Sequence, residues 1–138
     1  MIEFNYEIDF KLTNEKNTSS WIQECIRNEA GSLGEINYIF CDDSYLHKIN
    51  VEFLQHDTLT DVISFDYTLG KEINGDIFIS IERVKENASI FNVPFENELH
   101  RVIIHGVLHF LGFKDKTDKE KEIMREKENE CLVILNKT

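Results

Sequence analysis

The sequence predicts an α+β fold: a small mixed sheet of about four strands packed with about five helices. Three observations point there. Apolar residues alternate with polar ones along "IEFNYEIDF", the period-two pattern of a half-buried strand. Further along, apolar residues recur at helical spacing in segments bounded by capping residues. Two strand-like runs flank the turn-like "GKEING", which predicts an antiparallel hairpin. The resulting order, β-α-β-α-β-β-α-α-α, gives a partly antiparallel sheet with helices packed against it.

Residues 2–10 put Ile2, Phe4, Tyr6, Ile8 and Phe10 on one side of the first strand. "TSSWIQECIRNEAG" (18–31) begins with Thr and Ser and carries Trp21, Ile22, Cys25 and Ile26. It stops at Gly31, as a helix would. "EINYIFC" (35–41) is a second strand. "DDSYLHKINVEFLQ" (42–55) is a helix capped by Asp or Ser, with Leu46, Ile49, Phe53 and Leu54 inward. "DVISFDYTL" (61–69) and "GDIFISI" (75–81) form the hairpin strands. "ERVKENASIFN" (82–92) is a third helix, with Pro94 beyond its end. The fourth covers 96–112. The last, 117–135, turns Ile123, Met124, Cys131, Leu132 and Leu135 to the core, and its alternating charges predict a solvated outer face.

At 138 residues the chain reads as one domain over 1–138 with a proper core. No apolar run approaches the ~20 residues that span a bilayer. The start, "MIEFNYEIDFKLTNEK", lacks the basic region and cleavage site of a secretory signal. Cys25, Cys41 and Cys131 are odd in number and far apart, so they predict neither a disulfide framework nor a thiolate metal site. A reducing, cytoplasmic location follows as an expectation. The net charge of −11 argues against gripping nucleic acid by bulk electrostatics. A nucleic-acid function needs a local basic cleft or a partner that supplies the attraction.

The chemistry concentrates in "IIHGVLHFLGFKDK" (103–116). Residues i and i+4 of a helix share a face, so His105 and His109 can offer two imidazole nitrogens to one tetrahedral ion. Gly112 stands where a left-handed C-terminal cap turns the chain back. That turn can bring Asp115 to the same point, at the spacing of the third ligand in metzincin-type zinc sites. With a fourth position left to water, this predicts a catalytic zinc site for one ion. The residue after the first histidine is Gly106, where a zincin protease carries its glutamate base. A helix-interior glycine costs roughly 0.8–1 kcal/mol relative to Ala. It predicts a close approach there by backbone, substrate or metal-bound water. The pattern is that of a metal hydrolase, but not of an ordinary protease.

"HGVLHFLGFKD", followed by Glu120, Met124 and Glu128, resembles the signature of the YbeY family of metal-dependent endoribonucleases. "LHKINVEFLQHDTLTDVISFDY" and "NGDIFISIERV" are similar to two further family motifs in the same order. The resemblance spans about Ile49 to Leu132. It implies a zincin-like metal helix and single-strand-specific cleavage of RNA in maturation of the 16S rRNA 3′ end. It also implies ribosome quality control, with the ribosome or its associated proteins as partners. The third metal histidine of the family falls on Asp115, with Lys114 at the usual aspartate. A carboxylate is a legitimate zinc ligand, and its charge should leave the bound water less acidic. The family's substrate arginine is Leu54 here, so His56 or Lys114 is left to supply a positive charge. Leu59 replaces a common proline.

The general base stays unassigned. Asp61 and Ser64 either line the cleft or serve a strand and its turn. Asp76 reads either as a second-layer partner of a zinc histidine or as a turn residue. Lys114 is the candidate nucleic-acid contact, and Lys116 reads as loop. Two alternatives remain open: a non-catalytic ribosome-associated binding factor, and an atypical metallopeptidase.

Overall fold

The computed structural model describes residues 1–54 and 60–137. Its elements are β1 (Ile2–Tyr6), α1 (Glu15–Asn28), β2 (Ser32–Cys41), α2 (Asp43–Leu54), β3 (Val62–Asp66) and β4 (Glu72–Ser80). They are followed by α3 (Ile81–Phe91), α4 (Phe95–Phe110) and α5 (Asp118–Asn136). This is the expected α+β order. The sheet runs β1-β2-β4-β3; the first two pairings are parallel, and the β3–β4 hairpin is antiparallel as predicted.

Alternation divides the sheet between two cores. Ile36, Tyr38 and Phe40 of β2 and Ile77 and Ile79 of β4 join Trp21 and Ile22 of α1 and the apolar residues of α4 in the main core. On the opposite face, Cys41, Leu46 and Ile63 form a smaller cluster with Ile49, Phe65 and Phe78 under α2. Cys25, Cys41 and Cys131 are all free and buried. Among the described residues no helix is long and apolar enough to cross a membrane.

Several boundaries differ from expectation for local reasons. β1 ends at Tyr6; beyond it the Phe10 amide bonds back to the Ile8 carbonyl at 2.9 Å, while both side chains still pack on the core. α1 starts at Glu15, before the expected threonine. Asn14 caps it by accepting from the Asn17 amide at 3.0 Å, and Thr18 is buried within the first turns. The left-handed residue at its end is Ala30, at φ 61°, not Gly31. The Gly31 amide donates to the Ile26 carbonyl and the Ala30 amide to that of Arg27, both at 2.9 Å, the paired bonds of a Schellman cap. In α2, Leu46 is buried and Ile49 packs beside it, but Phe53 is 66% and Leu54 42% exposed. The sheet ends at β3, where the edge of Phe65 meets Phe53 at 6.2 Å between ring centres. Ile123 is likewise exposed, one residue before the buried Met124.

α4 is the most buried helix. Leu99, Val102, Ile103, Ile104, Val107 and Leu108 all face protein. Gly106 rests on the sheet, where an added Cβ would lie 2.8 Å from Ile77 Cδ1. The close approach is therefore to β4, not to substrate. The buried Tyr38 hydroxyl donates to the Ile103 carbonyl at 2.8 Å and ties α4 to β2. The indole N–H of Trp21 donates to the Cys131 carbonyl at 2.7 Å and ties α1 to α5.

A non-glycine residue in the left-handed region costs roughly 1–2 kcal/mol, part of which a glycine would return through its freer unfolded chain. Ala30→Gly should stabilise the protein by about 1 kcal/mol, read as a higher urea midpoint at unchanged slope.

Candidate metal centre

The two histidines sit one turn apart on α4, their rings edge to face with centroids 4.6 Å apart and 85° between planes. Their Nε2 atoms are 3.1 Å apart. At the helix end the Phe113 amide donates to the Leu108 carbonyl and the Gly112 amide to that of His109, both at 3.0 Å. Gly112 takes φ 104°, which a side chain would resist, and so the chain reverses as expected. The reversal brings Asp115 Oδ2 to 3.2 Å from His105 Nε2 and 3.3 Å from His109 Nε2.

These three atoms form a nearly equilateral triangle. Donors at zinc-like distances from one ion, in tetrahedral directions, lie about 3.3–3.6 Å from one another. The observed edges are only slightly shorter. Two imidazoles and a carboxylate are also the donor types that borderline-soft divalent ions take. His105, His109 and Asp115 thus form a group that could hold a metal ion.

The other ring nitrogen of His105 is held from α5. Its Nδ1 lies 2.7 Å from Oε2 of Glu128, which is 5% exposed. In the neutral ring, an Nδ1–H donated to that carboxylate leaves the Nε2 lone pair pointing into the triangle. Arg101, one turn before His105, donates from Nη1 to Glu128 Oε1 and from Nη2 to Asn129 Oδ1, both at 2.9 Å. Burial opposes ionisation of Glu128, but its bonds to His105 and Arg101 prevail and lower its pKa. Burial likewise opposes the charged form of His105, but the bond to Glu128 and the charges of Glu128, Asp115 and Asp61 raise its pKa.

A cavity of about 310 Å³ opens beside the triangle, reached by His105, Asp115, Glu128, Asp61, Glu98 and the arginines of α4 and α5. Burial raises the pKa of Asp61, against the opposing pull of its own amide and that of Val62 at the local turn. Burial, then the charge of Asp61, raises Glu98. Asp61 is therefore both a turn residue and a cavity residue. Ser64 is half-buried in β3 and does not reach the cavity.

Other sequence candidates fall elsewhere. Asp76 lies within β4 and accepts from Asn37 Nδ2 at 3.2 Å. Its neighbour Ile77 touches α4, so Asp76 points to the opposite face and the histidine's partner is Glu128. Lys114 is exposed and does not line the cavity. Leu54 ends α2 at the surface. His56 and Leu59 lie outside the described residues.

The expected wet outer face of α5 is corrected at Glu128. An alternating charge pattern hid one buried carboxylate. The available signals were its place in the Glu120-Met124-Glu128 series and an arginine four residues before His105 on the metal-facing stripe.

Loss of a carboxylate that orients a metal-bound histidine typically costs 10–100-fold in affinity. Glu128→Ala should weaken binding of an added divalent ion by that order, measured by chelator competition. Ion binding needs His105 neutral, and its pKa is raised, so protons compete up to a higher pH than for a free imidazole. Bound metal should fall as pH is lowered through that range and return on neutralisation, followed by elemental analysis after desalting.

A family model described as Endoribonuclease YbeY matches residues 3–136. The chain is 60% identical over 136 residues to a Flavobacterium johnsoniae protein named Endoribonuclease YbeY, covering 99% of this chain and 98% of that one. It is 61% identical to the like-named protein of Flavobacterium psychrophilum, covering 99% and 97%. It is 56% identical to that of Christiangramia forsetii, covering 98% and 94%. A solution structure of a Thermotoga maritima protein matches with a TM-score of 0.70 at 28% identity, over 98% of this chain and 89% of that chain. The fold, the histidine helix and these matches together place the chain in the endoribonuclease YbeY family.

Proposed function

We propose that the protein is a zinc-dependent endoribonuclease that cuts single-stranded RNA, acting in maturation of the 16S rRNA 3′ end and in ribosome quality control. The observation that carries this reading is the triangle of His105, His109 and Asp115 opening on a cavity, in a chain of this family. One domain over 1–138, a cytoplasmic location and the ribosome or its associated proteins as partners belong to the same proposal.

His105, His109 and Asp115 would hold one zinc ion. When bound, such an ion supplies Lewis acidity for a water molecule and a phosphoryl oxygen. Glu128, anchored by Arg101, keeps the His105 ring in the tautomer and orientation that ligation needs. Asp61 and Glu98 are both cavity carboxylates with raised pKa, and Asp61 is the one whose charge acts on His105, which suits it to take a proton from the attacking water at one of its Oδ atoms. Asp115 within the ligand set and Glu128 behind His105 place two carboxylates at the site, which favours a tightly held cation. A peptidase reading lacks its base, since Gly106 stands at that position and packs on Ile77.

His109→Ala should abolish both zinc uptake and cleavage of a single-stranded RNA; cleavage by the metal-free variant would overturn the scheme. Asp61→Asn should keep its zinc and its affinity for RNA while kcat falls by about 10²–10⁴-fold, as expected for loss of a general base. Unchanged kcat would remove Asp61 from that role.

A further inference from the structure

The cavity beside the triangle has two residues at its rim that the chemistry above does not use, Phe91 at the end of α3 and Arg125 on α5. We propose that they form a nucleotide subsite, in which the phenyl ring stacks on a splayed base of single-stranded RNA and the guanidinium holds a backbone phosphate. The proposal rests on the nuclease reading for the identity of its ligand.

Phe91 is out of place as a core residue. Ile81, Val84 and Ala88 form the buried stripe of α3, and Phe91 continues it by one more step. There the core has ended. The ring is 57% exposed and lines the cavity together with Asn87. A flat apolar face beside a polar cavity is what an unstacked nucleobase seeks, and stacking of this kind tolerates any base. A base inside a duplex is already covered on both faces, so the ring favours single strands.

Arg125 is the complementary part. It follows the buried Met124 and is 59% exposed in its side chain. The carboxylate oxygen nearest it, Glu128 Oε1, is 4.0 Å away and already receives Arg101 at 2.9 Å. Arg101 is committed to Glu128 and Asn129 and is largely covered. Among the described residues, Arg125 is thus the cavity arginine with donors left to give. A chain of net charge −11 needs such a local cation to admit a phosphate, and Leu54 offers none from α2.

The test uses zinc-loaded protein and a fluorescent single-stranded oligoribonucleotide with phosphorothioate linkages, which keep the charge and resist hydrolysis. Arg125→Ala should weaken binding about tenfold and lower the slope of log affinity against log salt by about 0.7, the value for one phosphate contact on a single strand. Arg125→Lys should restore the slope. Phe91→Ala should weaken binding about five- to tenfold with the slope unchanged, and Phe91→Tyr should retain affinity. An RNA duplex of the same sequence should respond to neither aromatic change. Wild-type affinity in both alanine variants at full zinc content, or failure of the wild type to bind the strand, would overturn the subsite. Binding in the predicted pattern without any cleavage of unmodified RNA would uphold the subsite and remove the nuclease chemistry. Cleavage with neither residue mattering would do the reverse.

Discussion

The contact on which the rest depends is the seat of α4 on β4. Gly106 brings the helix backbone onto Ile77, and the Tyr38 hydroxyl bonds the Ile103 carbonyl from the neighbouring strand. Around that contact the helix buries Leu99, Val102, Ile103, Ile104, Val107 and Leu108. Each such side chain contributes about 1.5–3 kcal/mol on burial. Holding three donor atoms near one point opposes folding by far less. The imidazoles are therefore positioned by the core, and the ligand group is assembled by forces that have nothing to do with a metal. A glycine that would weaken an isolated helix is the residue that permits this docking.

Two further elements complete the group, each through a different kind of force. The left-handed turn at Gly112 is a backbone matter, and it decides where Asp115 lies. The reach of Glu128 from α5 is electrostatic. A carboxylate that is 5% exposed would be costly alone, but Arg101 and His105 occupy both of its oxygens. The result is a chain of charge running from α5 through α4 to the cavity. It leaves Nε2 of His105 as the acceptor facing inward, which is the direction a cation requires.

The family assignment and the geometry support one another without being the same argument. The matches with relatives say what kind of protein this is. They do not say how the residues of this chain, Asp115 and Leu54 among them, arrange its charges. Here the carboxylate meets both Nε2 atoms, and the cavity's cations come from α4 and α5. The cavity beside the triangle is lined by four carboxylates, Asp61, Glu98, Asp115 and Glu128, and by two arginines, Arg101 and Arg125. Phe91 lines it as well.

Much was legible in the chain alone. The order of nine elements, the hairpin, the histidine pair, the cap at Gly112 and the arrival of Asp115 all follow from local rules of period, capping and chain reversal, and the structure matches them. What escaped was decided by packing between elements distant in sequence. Glu128 reads as one more charge on a solvated helix until α5 lies across α4 and presses it against His105. Phe53 reads as inward until the sheet proves to end at β3. Asp76 reads as a partner for the metal helix until the pairing of β4 turns it to the far face. Short-range patterns set which face of an element is apolar. Only the relative placement of whole elements determines which polar residue that face finally meets.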